Sequence, residues 1–379
     1  MHVCHISTEH TLFHESLYQK ECWSVLGWAD RISVINQERP HFSQEYSEID
    51  IFTYPKGLKF RRLLSYLRDV AVELQADIYH LHHPWLLALL PSLRKHTHAA
   101  VIYDMHTPYP EYLRTFSGNT STWHGLKSDL MGIWERSMIS RVDGAIFHSD
   151  RLYESIHASN NFSTLLYDFP RLEYYSPAFH QDQEDFNVLY TGLITEPHGI
   201  LYLIEAFYYF YQREQHGELY IVGDIYPPEF QEVLHQAIRY FSLSHAVHLE
   251  PRYTNKELLS HLRSASVGVS ALLPLPFFRK SLQSNIFDYM ASGIPVVAGA
   301  SPANQKFIRR AKSGIVLDEP SPVALANALS FLHNHPHERN IMGERGREIT
   351  RKQQNWNAMR SKLQNFYARV FDWRQTMEQ

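Results

Sequence analysis

The sequence has few cysteines, no long apolar run and no leader-like start. Its two cysteines, Cys4 and Cys22, cannot form a disulfide framework, which is typical of proteins from a reducing compartment. No stretch approaches the roughly 18 uninterrupted apolar residues of a membrane-spanning helix. The first residues, MHVCHIST, lack the basic and apolar regions of a signal peptide. These absences predict a cytoplasmic protein without a membrane span.

An excess of basic residues is also absent. The 379 residues include 36 Lys and Arg against 40 Asp and Glu, which gives a net charge of −4 with His neutral. Nucleic-acid-binding proteins usually have a basic balance, so we expect no nucleic-acid partner. The chain also lacks the G-x-S-x-G turn of serine hydrolases, the H-E-x-x-H of zinc proteases, and a G-x-G-x-x-G after the first predicted strand. Hydrolase and dehydrogenase activities are therefore disfavoured.

Histidine, in contrast, is abundant, with 24 residues. His80, His82 and His83 end one predicted strand, at a spacing that invites a metal interpretation. Side chains alternate along a strand, so His80 and His82 share one face while His83 points to the other. No matching carboxylate cluster is evident, and we predict structural or cleft-lining histidines and no metal site. His106 is the stronger functional candidate, because Asp104-x-His106 ends a strand, where α/β sheets bind ligands.

Strand and helix patterns alternate through the whole chain. Strand-like runs occur at 2–7, 31–36, 50–54, 77–82, 99–106 and 144–149, and a new cycle starts near residue 187. This alternation predicts an α/β protein with two Rossmann-like parallel-sheet domains. The predicted division is a first domain at 1–170, a linker at 171–186, a second domain at 187–353 and a final helical segment at 354–379. The stretch 108–125, with two prolines and two glycines, predicts a long loop.

Residues 56–75 predict a basic amphipathic helix, in which Lys and Arg are interleaved with Leu and Phe. Two interpretations of this helix are open. Such a helix can lie on an anionic membrane surface, which predicts peripheral contact with the inner face of the membrane. The other interpretation, which we favour, is a solvated helix whose apolar stripe packs on the sheet, as is common in α/β proteins.

The stretch 280–300, KSLQSNIFDYMASGIPVVAGA, predicts a helix, a tight turn and a buried strand. Ser284 is suited to cap the helix, and Gly293 is suited to a left-handed turn at its end. PVVA is a short apolar run of the parallel-strand kind. Asp288 is a carboxylate near the start of an otherwise apolar helix.

Several segments resemble the GT-B glycosyltransferases of family 4, over residues 1–371. The helix-turn-strand unit SNIFDYMASGIPVVA is similar to that family's donor-site helix, and VIYDMH to a strand end in its first domain. Gly192-Leu-Ile-Thr-Glu-Pro-His198-Gly199 has the glycine spacing of its diphosphate-binding turn. The resemblance implies a GT-B fold, with two Rossmann-like domains facing a cleft and a C-terminal helix crossing back to the first domain.

The same resemblance implies a retaining, metal-independent glycosyltransferase. Its donor is a UDP- or GDP-sugar, its acceptor is a glycan or a lipid-linked molecule, and no cofactor is needed. The implied catalytic residues are His106, which touches the sugar, and Asp288, which holds the ribose. The implied donor-binding residues are Gly192, His198 and Gly199 at the diphosphate, Arg252 near the base, and Lys280, Ser284 and Asn285 around the donor helix.

Some residues depart from the family pattern, and most of them fall in the implied cleft. Leu193, Lys280, Asn285, His83 and Thr107 replace residues that are usual there. An alternative function is therefore a catalytically degenerate GT-B protein that binds a glycan or a protein partner.

Overall fold

The computed structural model describes residues 1–8, 17–37, 47–116, 122–157, 160, 162–175, 185–250, 255–299 and 301–378. The chain divides into two compact units. Unit 1 comprises Met1–Asp168 with Asn357–Gln379, and unit 2 comprises Phe169–Trp356. Of the predicted linker at 171–186, the described residues 171–175 and 185–186 belong to unit 2.

Unit 1 contains a seven-stranded parallel sheet. Its strands are β1 His2–Ile6, β2 Arg31–Asn36, β3 Ile49–Thr53, β4 Ile78–Leu81, β5 Ala100–Met105, β6 Gly144–Phe147 and β7 Ser163–Leu165. Their order is β3-β2-β1-β4-β5-β6-β7. The order reverses between β1 and β4, and such a switch point opens a crevice at the carboxyl ends of the strands.

Helices cover both faces of this sheet. They are Trp23–Val25, Phe60–Leu74, Leu90–His96, Tyr109–Phe116, Thr122–Ile139, Asp150–Ile156 and the C-terminal helix Trp356–Glu378. A short π-helical segment, Leu17–Cys22, precedes the first of them, and a 3₁₀ segment, Pro84–Leu89, precedes the third.

The C-terminal helix packs in unit 1, as predicted. Leu363, Phe366, Tyr367 and Val370 are buried there with the side chains that alternate on one face of the sheet. Gly144 permits the contact, because a Cβ at this position would lie 2.8 Å from the Phe366 ring. The opposite face packs against the helices that connect the strands.

Unit 2 repeats the same topology with six strands. They are β8 Asn187–Thr191, β9 Glu218–Val222, β10 Val247–Glu250, β11 Val267–Ser270, β12 Val296–Ala298 and β13 Gly314–Val316. Their order is β10-β9-β8-β11-β12-β13, and all neighbours are parallel. The order reverses between β8 and β11, so unit 2 also has a crevice at a switch point. Two parallel-sheet Rossmann-like domains are thus confirmed.

The helices of unit 2 follow the predicted pattern. They are Ile200–Glu214, Phe230–Tyr240, Asn255–Ser264, Pro276–Lys280, Asn285–Ser292, Pro302–Ala311, Pro322–Asn334 and Pro336–Lys352. The described part of unit 1 and unit 2 contains no helix that is both long and apolar enough to traverse a bilayer.

The predicted loop at 108–125 was wrong where the structure describes it. Tyr109–Phe116 is a helix, and a second helix starts at Thr122. Pro110 is compatible with the first turn, where a backbone N–H has no intrahelical partner. Tyr112 and Phe116, four residues apart, then pack at 4.9 Å between ring centroids.

The basic helix Phe60–Leu74 packs on the sheet through its apolar side. Leu67 and Ala71 are buried, and Leu63, Leu64 and Val70 pack partly against the same core. Phe60, at the start of the helix, is 51% exposed, and the neighbouring Arg61 and Arg62 are also exposed. The stripe therefore serves the core, and the basic side faces solvent.

The C-terminal helix gives a clean stability test. Leu363→Ala removes a fully buried side chain and should lower the free energy of unfolding by about 2–4 kcal/mol. Met377→Ala, near the end of the same helix, removes a side chain that is 65% exposed and should change it by less than about 0.5 kcal/mol. Urea unfolding followed by circular dichroism measures both variants, and equal midpoints would contradict the packing described here.

Candidate functional site

Unit 1 gathers histidines and carboxylates at the carboxyl ends of its central strands. The histidine–carboxylate cluster consists of His5, Glu21, His80, His82, Asp104, His106 and His148. Strands β1, β4, β5 and β6 are consecutive neighbours in the sheet. The histidines and Asp104 all project to the sheet face that the C-terminal helix covers, because they follow the period of two. Glu21 enters from the π-helical segment.

Strand register brings the cluster together. His5 on β1 pairs directly with His80 on β4. On the other side, Asp104 on β5 is level with Ile146 on β6. His106 and His148 each lie two residues further along, so their rings stack with centroids 3.8 Å apart. The cluster therefore sits at the β1/β4 switch point, where this fold binds ligands.

His106 is held between two carboxylates. Its Nε2 lies 3.2 Å from Asp104 Oδ2 and 3.5 Å from Glu21 Oε1, and its side chain is 14% exposed. Burial alone lowers the pKa of His106, but the charges and hydrogen bonds of Asp104 and Glu21 outweigh it, and the pKa is raised well above its usual value. His106 is therefore an oriented imidazolium with a small exposed edge.

Asp104 is the counter-charge of two histidines. It accepts a 2.5 Å hydrogen bond from His148 Nε2 on Oδ1, while Oδ2 faces His106. Burial raises the pKa of Asp104, but His106 and His148 outweigh this and keep it well below the usual range. Asp104 is thus an ionised carboxylate at full burial.

His5 and His82 behave differently. Burial and then the neighbouring His80 hold the pKa of both rings well below the usual value, so both are neutral. Their ring nitrogens, His5 Nδ1 and His82 Nε2, lie 3.0 Å apart. One cluster therefore combines charged and neutral imidazoles.

His80 and His82 lie on one face and His83 turns away, as the alternation along the strand predicted, and the His83 ring accepts a hydrogen bond from the Trp85 N–H. The prediction about carboxylates needs a correction. The supposed lack of a carboxylate partner was wrong, because Glu21 and Asp104 lie among the histidines. Glu21 is remote along the chain, and only the fold brings it here. Histidines at the ends of several predicted neighbouring strands were the available signal.

Unit 2 builds its candidate site from glycines at its own switch point. Gly192 follows β8 with φ +134°, and a Cβ on the adjacent Gly223 would lie 1.7 Å from its carbonyl oxygen. Gly199, with φ +75°, precedes the helix Ile200–Glu214, and a Cβ there would lie 2.1 Å from the Ala271 carbonyl. Only glycine fits these approaches. The turn delivers a helix N-terminus, which favours anions.

His198 lies in this turn but is not suited to carry charge. Its side chain is buried, Nδ1 hydrogen bonds with the Thr195 hydroxyl at 2.7 Å, and the ring packs edge-on against Phe278 at 5.0 Å. Burial lowers the pKa of His198 to about 4. At neutral pH His198 therefore offers shape and hydrogen bonding rather than a positive charge.

The helix Asn285–Ser292 is tied to the end of β8. Asn285 Nδ2 donates a 2.8 Å hydrogen bond to the Thr191 carbonyl, and the Tyr289 hydroxyl accepts one from the Thr191 N–H. Ser284 occupies the capping position, but its side chain makes no capping hydrogen bond, so that predicted role was wrong. Gly293 ends the helix in the left-handed conformation, φ +78°, as expected.

Asp288 lies in the first turn of this helix and is half-buried. The Tyr175 hydroxyl donates a 2.6 Å hydrogen bond to Asp288 Oδ1. The sequence did not single out Tyr175, which lies in the predicted linker. Lys280 ends the short helix Pro276–Lys280, which precedes the helix Asn285–Ser292. Arg252 lies outside the described residues.

The buried His198 predicts a pH effect on stability. Its pKa is lower in the folded than in the unfolded state, so its contribution is present above pH 6.5 and is lost as pH falls towards 4. Between pH 7 and pH 5 this loss is about 2 kcal/mol. His198→Gln should lose less stability than wild type over that interval by this amount, measured by urea midpoints.

His337→Gln is the matched control, because His337 is exposed in the same unit. It should retain the wild-type pH dependence. An identical pH dependence in His198→Gln and wild type would show that His198 is not held neutral.

Two family models match the chain. "Glycosyltransferase Family 4" matches residues 30–163, and "Glycosyl transferases group 1" matches residues 185–335. Together they cover about three quarters of the sequence. A search of curated protein sequences returned no match.

Solved structures share the fold at low identity. Sucrose-phosphate synthase from Thermosynechococcus elongatus has a TM-score of 0.80 at 16% identity, covering 98% of this chain and 99% of that chain. Anabaena HepE in complex with UDP-glucose has a TM-score of 0.77 at 14% identity, covering 97% and 99%. WaaG, a glycosyltransferase involved in lipopolysaccharide biosynthesis, has a TM-score of 0.73 at 12% identity, also covering 97% and 99%. With the two family models, this fold assigns the chain to the GT-B glycosyltransferases of the family 4 type.

Proposed function

We propose that this protein transfers a sugar from a UDP- or GDP-sugar to a glycan or lipid-linked acceptor in polysaccharide biosynthesis. The observation that carries the proposal is the donor-type turn of unit 2. Gly192 and Gly199 bring backbone to the N-terminus of the long helix Ile200–Glu214, and Asn285 pins the neighbouring helix to the same strand end. A diphosphate suits such a helix N-terminus.

Asp288 is the residue we assign to the ribose. A carboxylate near the diphosphate turn can accept hydrogen bonds from two vicinal hydroxyls. The Tyr175 hydroxyl already orients Oδ1, so the carboxylate is positioned before donor binding. HepE was solved with UDP-glucose, which supports a uridine donor among the candidates.

The chemistry we propose is retaining and needs no metal at the diphosphate. Both groups of described side chains that could hold a metal ion lie in unit 1, away from the donor-type turn along the chain. Helix N-termini and backbone N–H groups stabilise the leaving diphosphate in their place. His106, oriented by Asp104 and Glu21, is the group we assign to a hydroxyl of the transferred sugar.

The second candidate is a catalytically degenerate GT-B protein that binds a glycan or a protein partner. The observation that favours it is the buried His198, whose lowered pKa leaves this side chain of the diphosphate turn without a positive charge at neutral pH. Binding and turnover of a nucleotide sugar separate the two functions.

The donor site is tested by calorimetric titration with UDP, GDP, UDP-glucose and GDP-mannose. We expect one nucleotide series to bind, and Asp288→Asn to weaken it about 10- to 100-fold through loss of charge-assisted hydrogen bonds. Tyr175→Phe should stay within about threefold of wild type. Glu232→Gln, an exposed carboxylate of the same unit, serves as the control.

Absence of binding at millimolar concentration contradicts the transferase and favours the catalytically degenerate protein. Unchanged affinity in Asp288→Asn contradicts the ribose assignment alone. Where a donor binds, proton NMR of its slow hydrolysis separates the candidates: a retaining enzyme first releases the sugar as the donor's anomer, and a binding protein releases none.

We also propose that the basic start of the helix Phe60–Leu74 brings unit 1 into peripheral contact with an anionic membrane surface. Lys59, Arg61 and Arg62 are exposed at the start of the helix Phe60–Leu74, next to the half-exposed Phe60. Each such cation near an anionic surface contributes about 1 kcal/mol. Arg61→Glu with Arg62→Glu should abolish co-sedimentation with phosphatidylglycerol vesicles. The matched pair Arg345→Glu with Arg351→Glu, exposed in unit 2, should not; equal pelleting of both would contradict the contact.

A further inference from the structure

One oxygen of Glu21 lies among three imidazoles without forming a hydrogen bond. Glu21 Oε2 is 3.8 Å from His5 Nδ1, 3.6 Å from His82 Nε2 and 3.6 Å from His80 Nδ1. The Glu21 side chain is 2% exposed, and Oε2 has no hydrogen-bond partner among the described residues. An unsatisfied buried carboxylate oxygen is costly, so this arrangement needs a compensating group.

The spacings around that oxygen fit a bound cation better than hydrogen bonds. Metal–nitrogen and metal–oxygen bonds of about 2.0–2.1 Å in tetrahedral geometry separate neighbouring ligand atoms by about 3.4 Å. The contacts of Oε2 with His5 and His82, at 3.8 and 3.6 Å, are close to this value. The two ring nitrogens lie 3.0 Å apart, at the distance of a hydrogen bond between the rings, and a bound ion would replace that bond. Hydrogen bonds to Oε2 would instead be at about 2.7–3.2 Å.

We propose that His5 Nδ1, His82 Nε2 and Glu21 Oε2 bind a divalent transition-metal ion of the zinc class. Two imidazoles and a carboxylate are ligands typical of zinc-class ions, whereas magnesium and calcium prefer oxygen ligands alone. The three residues converge from β1, from the end of β4 and from the π-helical segment. Three protein ligands leave a fourth position for water.

The remaining members of the cluster are placed to support these ligands. His80 Nδ1 hydrogen bonds with the Tyr367 hydroxyl at 2.5 Å, which makes His80 a neighbour of the ion rather than a ligand. The second ring nitrogen of His82 faces Asp104 Oδ2 at 3.9 Å, and a carboxylate behind a ligating histidine is the usual arrangement.

The second group of candidate ligands, Glu21, Asp104, His106 and His148, already contains a short hydrogen bond. His148 donates to Asp104 at 2.5 Å, and His106 lies 3.2 Å from the same carboxylate. His148 already satisfies Asp104 Oδ1, whereas Glu21 Oε2 faces three imidazoles, so we place the ion at His5, His82 and Glu21. Glu21 Oε1 then reaches towards His106 at 3.5 Å, which links the ion to the orientation of His106.

The proposal is tested on the full chain without nucleotide, so its outcome is independent of the donor site. After removal of metals with a chelator, equilibrium dialysis against Zn²⁺ and elemental analysis should find one zinc ion per chain. Addition of Co²⁺ should give the strong visible absorption of four-coordinate cobalt, which exposed histidines do not produce. Zinc should also raise the unfolding temperature, because it binds the folded state.

Glu21→Gln and His82→Gln should each lose stoichiometric zinc and the cobalt spectrum. His83→Gln is the matched control, since His83 is the next residue but turns away to the Trp85 backbone. Near-ultraviolet circular dichroism checks that each variant keeps its tertiary structure. If wild type holds no zinc, or if Glu21→Gln and His82→Gln hold as much as His83→Gln while folded, the proposal is wrong.

Discussion

The candidate site of unit 1 depends on compensating two buried carboxylates. Glu21 and Asp104 are removed from water at the ends of the central strands, and each needs positive charge or hydrogen bonds to remain there. His148 donates a hydrogen bond to Asp104 Oδ1, and His106 faces Oδ2 as a counter-charge. Glu21 is satisfied through one oxygen at most by the described side chains. The histidine content at these strand ends follows from that requirement, since few other side chains can act as cation, neutral donor and ligand in one place.

The two units solve the same topological problem by different means. Both sheets are parallel and have the same local strand order, which reverses next to the first strand of each sheet. Titratable side chains lie at the switch point of unit 1. Glycines lie at the switch point of unit 2, where the lack of a side chain lets the backbone approach a ligand. Side chains that orient single groups suit a sugar or an ion, and exposed helix N–H groups suit a diphosphate. The fold therefore supplies two positions, and the local residues decide their chemistry.

The architecture was predictable from sequence because it rests on repeated local patterns. Each strand, each helix and the Gly293 turn is specified by residues that are close together in the sequence. The site was less predictable. His198 was placed in the predicted diphosphate turn, but the burial that keeps it neutral involves Phe278, eighty residues away along the chain. Asp288 was found, while its partner Tyr175 lay in a stretch without periodicity. Glu21 could not be matched to its histidines, because three strands and a helical segment must first assemble.

Unit 1 is discontinuous in the chain, and this sets an order on its assembly. Its sheet and histidines are synthesised within the first 168 residues, but Leu363, Phe366 and Tyr367 arrive only after the whole of unit 2. Until then one face of the sheet lacks its apolar cover, and His80 lacks the Tyr367 hydroxyl. Domains generally fold as units during synthesis, from the N-terminal end. Unit 1 can therefore acquire its complete core only after the whole of unit 2 has been synthesised.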